Sequence, residues 1–125
     1  MKYLLTIFTL LLTLMFSSTS LAGWTKVGSD KSGTDYYIDF ERMRKADGFI
    51  YFWYLLDYSK PIDEYLSLKR YYQGDCKIFR LKYLSSSFHK EPLGGGIGQS
   101  TPPVEWVYPS PNSINEYILK SVCSR

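Results

Sequence analysis

The sequence has little of the chemistry that most enzymes and metalloproteins use. Its 125 residues include a single histidine and two widely separated cysteines. A structural zinc site takes about four Cys or His ligands, and redox pairs use a Cys-x-x-Cys spacing that this chain lacks. His89 follows a run of serines, but a nucleophile, a base and an orienting group rarely converge at one strand end, so we predict a surface histidine. The composition therefore predicts no enzyme, no metal site and no cofactor.

Long apolar segments are also missing. The apolar run near the start ends at Phe16, and Ser20 and Ala22 place small residues before a cleavage site. This run is shorter than the roughly 20 residues of a membrane-spanning helix, so we predict a cleaved export signal at residues 1–22. Neither cysteine lies beside the cleavage site, so we expect neither a lipid anchor nor a membrane span. The mature domain, residues 23–125, would lie in the periplasm, at the cell surface or outside the cell.

Neither sign of charge is in large excess. The chain has 15 Lys and Arg residues against 12 Asp and Glu residues, and losing Lys2 with the signal leaves 14 against 12. So small a surplus in an exported protein argues against nucleic acid as a partner.

Glycine and proline are concentrated in residues 91–103, which we predict to be a mobile loop. Part of this stretch looks like a phosphate-binding loop. The spacing fails, because Leu93 stands where the pattern needs its first glycine and Gln99 stands where it needs lysine. We therefore predict a flexible connection and no nucleotide site.

Both cysteines lie in the predicted exported domain. An even number of cysteines in an oxidising compartment indicates disulfide bonding, so we predict a Cys76–Cys123 bond. On the chain-entropy model, closing a loop of about 48 residues stabilises the fold by roughly 4 kcal/mol. Cys123 falls beside the apolar face of a predicted C-terminal helix, so pairing would require the last turn to rotate or fray.

Aromatic residues are plentiful, at 18% of the chain, and they are densest in residues 48–58. This run is apolar at both strand parities, which predicts a central strand that needs cover on both faces. One parity carries Phe49, Tyr51, Trp53 and Leu55, and the other carries Ile50, Phe52, Tyr54 and Leu56. One helix covers only one face, so the remaining face would gain burial against a partner protein or a second copy.

The rest of the domain has the patterns of short strands and one helix. Asp39 is expected to cap a helical turn at 41–44, Pro61 to terminate the central strand, and Ser110 to cap the helix. The other predicted strands are 24–27, 34–40, 65–72, 77–86 and 104–108, with a bend or bulge at 73–75. These elements predict an α+β domain: an antiparallel sheet of about five to six strands with one C-terminal helix packed on it and linked by the disulfide.

Two sets of residues are candidates for partner binding. Tyr51 and Trp53 lie on the face of the central strand that the helix would leave uncovered. Arg80 and Lys82 form a basic stripe on another strand. Lys69 or Arg70 would extend that stripe, which fits either anion binding or an ordinary solvated face.

Several short motifs in fixed order give a resemblance to a known family. They are Trp24-Thr25-Lys26-Val27-Gly28, Tyr36-Tyr37-Ile38-Asp39, Trp53 ahead of Asp57-Tyr58, Asp75-Cys76, Trp106 and Val122-Cys123. In this order the chain resembles the bacterial surface-adhesin E family over nearly all of the mature domain. The resemblance implies an antiparallel sheet, a C-terminal helix held by the disulfide, and dimers that bind host matrix and serum glycoproteins.

Two functions remain open from the sequence. The first is an exported, non-enzymatic module that binds a protein or glycan partner through the aromatic sheet face or the Gly-rich loop. The alternative is a periplasmic structural or envelope-associated protein with no host ligand, whose aromatic face forms a homodimer.

Overall fold

The computed structural model describes residues 23–125, and the predicted export signal lies outside them. In this part of the chain, eight strands form one antiparallel sheet and a single α-helix, α1, follows. The elements are β1 Trp24–Ser29, β2 Asp35–Asp39, β3 Arg44–Ala46, β4 Phe49–Ile62, β5 Tyr65–Asp75, β6 Arg80–His89, β7 Gly98–Thr101, β8 Val104–Val107 and α1 Ile114–Cys123. The α+β class is confirmed, although the sheet has more strands than predicted.

The sheet is built outward from β4 and β5. The strand order is β1-β2-β4-β5-β6-β7, and two short strands add to it, β3 beside β4 and β8 beside β6. Neighbouring strands are antiparallel throughout. The prediction of β4 as the central strand is therefore correct.

The predicted end of β4 is wrong. The strand continues through Pro61 to Ile62 and turns through Asp63 and Glu64, both at positive φ, into β5. The register with β5 is interrupted between Asp57 and Ile62, so Pro61 lies where no regular ladder hydrogen bond is lost.

Helix α1 covers the even-numbered parity of β4. Buried side chains from the sheet and the helix form one core, made of Tyr36, Ile38, Ile50, Phe52, Tyr54, Tyr72, Leu81, Ile118, Leu119 and Val122. Gly74 allows the close approach of helix to sheet, because a Cβ there would lie 2.9 Å from Ile50 Cγ2 and 3.1 Å from Leu119 Cδ1. The odd-numbered parity of β4 thus faces away from α1.

The predicted helical turn after β2 is a bend followed by a strand. The Asp39 carboxylate accepts a hydrogen bond from the Arg42 backbone N–H, so its capping role holds for this single turn. The chain then becomes extended as β3, which pairs with β4 and returns through the tight turn at Asp47 and Gly48. Pairing with the long central strand overrides the local helical preference.

The connection between β5 and β6 also differs from prediction. Gln73 to Asp75 pair regularly with β6, and the register shift lies instead between Tyr71 and Tyr72. The Asp75 carboxylate accepts hydrogen bonds from two following backbone N–H groups, which makes residues 76–79 a turn. Strand β6 therefore starts three residues later than expected.

Helix α1 begins later than the prolines suggested. Its N-cap is Ser113, whose hydroxyl accepts a hydrogen bond from Glu116 N–H, so the prediction of Ser110 is wrong. Glu116 in turn accepts from the N–H of Asn112, the residue before the cap. The Cys76–Cys123 disulfide is confirmed, and Cys123 is still within the helix, so no fraying is needed.

Candidate functional site

The sheet face opposite α1 carries a group of aromatic side chains that remain partly exposed. We call this group the aromatic platform: Phe49, Tyr51, Trp53, Tyr71 and Trp106. The antiparallel register places Tyr71 opposite Trp53, and their ring centroids are 4.8 Å apart. Tyr51 also packs on Tyr71, and Phe49 packs on Trp106. Three strands thus build one nearly continuous aromatic surface.

Three cations lie over this platform. The Arg44 guanidinium is 4.6 Å from the centre of the Tyr51 ring, and that of Arg80 is 4.0 Å from the centre of the Trp106 ring. The Lys82 ammonium approaches Trp106 from farther away, at 5.9 Å. Cations at such distances are attracted by the ring quadrupole, which holds their long side chains in place.

Arg80 has a stabilising partner below the platform. Its Nε donates to a carboxylate oxygen of Asp75 at 3.0 Å, and the Asp75 side chain is nearly buried. The hydrogen bond from the Ile78 backbone N–H has the largest effect on the Asp75 carboxyl and lowers its pKa below the ordinary value. Arg80 lowers this pKa further. Asp75 therefore neutralises Arg80, and the positive charge available to a partner comes mainly from Arg44 and Lys82.

The structure brings the four predicted partner-binding residues to one face. Tyr51 and Trp53 alternate along β4, and the register places Lys82 opposite Gln73, which is itself opposite Tyr51. Arg80 is on the same side, two residues before Lys82. Arg70 is on the opposite face, so it cannot extend the stripe.

The other half of this sheet face is covered by residues 91–97, which we call the cover segment. The sequence predicted a mobile loop here, but the region contains a 3-10 turn at Pro92–Gly94 and leads into β7. The Ser67 hydroxyl donates to the Glu91 carbonyl and accepts from Gly94 N–H, and Asp57 accepts from Leu93 N–H. Two strands therefore hold the cover segment against the sheet.

His89 is buried beneath this cover, contrary to the predicted surface position. His89 is only 3% exposed, and its Nδ1 lies 3.2 Å from the Gly95 carbonyl oxygen. Because a carbonyl can only accept, Nδ1 carries a proton, and Nε2 shares a hydrogen bond with the Ser87 hydroxyl at 2.8 Å. The arrangement ties the cover segment to β6, and the group that orients the imidazole is a backbone carbonyl.

The cover segment gives a direct prediction. Ser67→Ala should leave Gly94 N–H and the Glu91 carbonyl without their partner, which costs about 1–3 kcal/mol of local stability. Amide hydrogen exchange of residues 93–97 should accelerate accordingly, by about one to two orders of magnitude. Ser85→Ala, an exposed serine on β6, is the matched control. Unchanged exchange at Gly94 in Ser67→Ala would contradict the anchoring role.

Comparison with known proteins identifies the family. The sequence profile of the surface-adhesin protein E family matches residues 24–124, which is nearly all of the described chain. The chain belongs to this family. The resemblance drawn from the scattered aromatic and cysteine motifs is confirmed.

Solved structures of Haemophilus influenzae protein E share the fold of this surface-adhesin protein E domain. One, in crystal form II, superposes with a TM-score of 0.64 at 16% identity and covers 82% of this chain and 88% of that one. Another, of protein E from non-typeable Haemophilus influenzae, gives a TM-score of 0.60 at 16% identity, covering 86% and 79%. At this identity the likeness establishes the fold. No curated protein sequence matches the chain.

Sequence reasoning missed part of the platform of this surface-adhesin protein E domain. Tyr71 and Trp106 were not linked to Trp53, although an antiparallel pairing of 49–58 with 65–75 would have placed Tyr71 beside it. Arg44 was assigned to a helical turn and was therefore not considered. Pairing aromatic residues across predicted neighbouring strands is the signal that would have found these contacts.

Two further observations apply to residues 23–125. No group of three or more His, Cys, Asp or Glu side chains in this region could hold a metal ion. None of its helices is both long and apolar enough to cross a membrane.

Proposed function

We propose that this surface-adhesin protein E domain is an exported, non-enzymatic module that attaches to host matrix or serum glycoproteins through the aromatic platform. The observation that carries the proposal is the platform itself: stacked rings from three strands, left partly exposed, with cations held over them. A contiguous aromatic surface of this kind is unusual on a protein without a partner.

The chemistry of the platform suits an acidic glycoprotein surface. Tyr, Trp and Arg are the residues most enriched at interface hot spots, and Tyr and Trp bury large areas with little loss of conformational freedom. Arg44 and Lys82 supply the positive charge, and their contact with the rings positions them before binding. Acidic side chains or the carboxylates and sulfates of a glycan would complement this charge.

Attachment to immobilised matrix glycoproteins tests the proposal. A Tyr51→Ala, Trp53→Ala double variant should weaken attachment by about 100-fold or more, since interface hot spots each contribute at least about 2 kcal/mol. Ile62→Ala removes another exposed apolar side chain, away from the platform, and should bind like the wild type. Full attachment by the folded double variant would exclude the platform as the binding surface.

A second candidate function uses the same surface differently. The aromatic platform could pair with a second copy in a periplasmic or envelope-associated protein that has no host ligand. Sedimentation velocity at several concentrations distinguishes the two, because the platform variant should then lose a dimer that the wild type forms. A wild-type protein that stays monomeric across the range would remove this candidate.

Protease accessibility on intact and permeabilised cells tests where the module acts. Protease added to intact cells should degrade the domain if it is displayed outside the outer membrane. Digestion only after the outer membrane is permeabilised would place it in the periplasm and would favour the second candidate.

A further inference from the structure

The end of β2 carries a buried carboxylate beside the first residue of the predicted mature domain. The register of β1 and β2 pairs Trp24 with Asp39, which brings Gly23 next to the Asp39 side chain. Asp39 is only 2% exposed. A buried charge is costly unless it is paired and hydrogen-bonded, so this carboxylate needs donors.

Arg42 satisfies the Asp39 carboxylate only in part. Among residues 23–125, both of its polar contacts come from Arg42: the backbone N–H donates to Oδ1 at 3.2 Å, and Nε lies 3.4 Å from Oδ2. The Arg42 side chain is 76% exposed, and an ion pair with so exposed a partner contributes little. Each carboxylate oxygen accepts about two hydrogen bonds, so Asp39 has capacity for another cationic donor.

Gly23 leaves room for a donor at that carboxylate. A Cβ built on Gly23 would lie 3.0 Å from Asp39 Oδ1 and 3.3 Å from Oδ2. This contact is tight for a carbon atom, but a nitrogen donor at the same point would be at or near hydrogen-bonding distance of both oxygens. Gly23 also has a φ of 87°, which glycine adopts without strain. The structure therefore keeps one position open that suits a nitrogen.

Removal of the export signal would supply a nitrogen at this position. Hydrolysis of the Ala22–Gly23 peptide bond by a signal-cleaving protease consumes one water and leaves a carboxylate on Ala22 and an ammonium on Gly23. That ammonium is attached only to the Gly23 Cα, so rotation about the Cα–C bond moves it among three tetrahedral positions. One of these is the position of the missing Cβ, and the rotation moves no residue after Gly23.

We infer that cleavage after Ala22 makes the new Gly23 ammonium the ion-pair partner of Asp39, so that processing of the exported chain completes this edge of the sheet. In the uncleaved chain the Gly23 nitrogen is a neutral amide with one N–H. After cleavage it has three donors and, near neutral pH, a positive charge. The inference depends on the predicted export signal and is independent of what the aromatic platform binds.

Two proteins that differ only at the N-terminus test the inference. One is the mature domain that begins at Gly23, and the other retains two more residues and begins at Leu21. Mass spectrometry of the exported protein should give the mass of a chain that begins at Gly23. In urea unfolding at a pH of about 6.5, where the α-amino group is charged, the folding equilibrium constant of the Gly23 form should be about tenfold larger.

Asp39→Asn identifies the partner of the ammonium. Asn retains an oxygen that can accept from the Arg42 N–H but has no charge, so the two N-terminal forms should then differ by less than about twofold. Asp63→Asn, which changes an exposed aspartate in the turn between β4 and β5, is the matched control and should preserve the tenfold difference.

A measurement on the unsubstituted proteins covers the case in which Asp39→Asn does not fold. An ion pair raises the pKa of the Gly23 ammonium, so its stabilisation is complete below the ordinary pKa of about 7.7–8.0 and is lost as the pH rises through the raised value. Asp39 and Arg42 stay charged throughout, so the difference should vanish near a pH of about 10. An exported chain that begins elsewhere, two forms of equal stability, or a difference that persists in Asp39→Asn or at that pH would each overturn the inference.

Discussion

Replacing both Cys76 and Cys123 with alanine should lower the free energy of unfolding by about 4 kcal/mol. The bond joins residues separated by 47 positions, and its loss frees the unfolded chain to occupy many more conformations. It also releases the end of α1 from the turn that precedes β6. Small domains have only about 5–15 kcal/mol of stability in total, so the variant should be close to unfolding at 37 °C.

Chemical denaturation of the variant and the wild type measures this effect directly. A thermal midpoint lower by the order of 20 °C is expected as well. Reductant provides the control, since it should destabilise the wild type and leave the cysteine-free variant unchanged. A difference below about 1 kcal/mol would show that the unfolded chain gains little freedom from losing the cross-link.

Truncating Phe52 should cost far more stability than truncating its neighbour Trp53. Phe52 is 0% exposed and packs on Tyr72, so Phe52→Ala should destabilise the fold by about 3–5 kcal/mol. Trp53 points to the opposite face, where it is partly exposed and stacks on Tyr71. Its loss should cost only about 1–1.5 kcal/mol, although Trp is the larger side chain.

Urea unfolding curves of the two variants test this difference, which comes from strand parity alone. Phe52→Leu is a useful control, because it retains most of the buried volume and should recover much of the lost stability. Equal destabilisation by Trp53→Ala and Phe52→Ala would mean that the platform is covered by other parts of the protein. The platform variants proposed for the attachment assay would then be unsuitable.

Local patterns predicted the centre of this fold well. The aromatic run in β4 has no polar parity, which requires cover on both faces, and the structure supplies α1 on one of them. The Cys76–Cys123 pairing also followed from the number of cysteines and the expected compartment. Both predictions depend on residue type alone, because a strand buried on both faces is apolar at every position and an even number of cysteines in an oxidising compartment forms disulfides.

Other elements depended on contacts that no local pattern contains. Residues 44–46 became a strand because β4 offered a free edge, and residues 98–101 did so beside β6. His89 became buried because Gly95 and its neighbours fold over the end of β6. In each case a distant segment supplied the hydrogen bonds and the cover.

The aromatic platform was also only partly predictable from local patterns. Tyr51, Trp53, Arg80 and Lys82 were predicted from aromatic content and alternation, but their meeting on one face required the register of β4, β5 and β6.

The amino-acid sequence by itself determined the disulfide-linked class, the central strand and the side of that strand on which each residue falls. Those properties depend on composition and on alternation between neighbours, which are local. Only the tertiary structure decided which face α1 covers, where residues 91–97 fold, and which polar groups remain without partners. These depend on pairing between distant segments, and many pairings are compatible with the same local preferences.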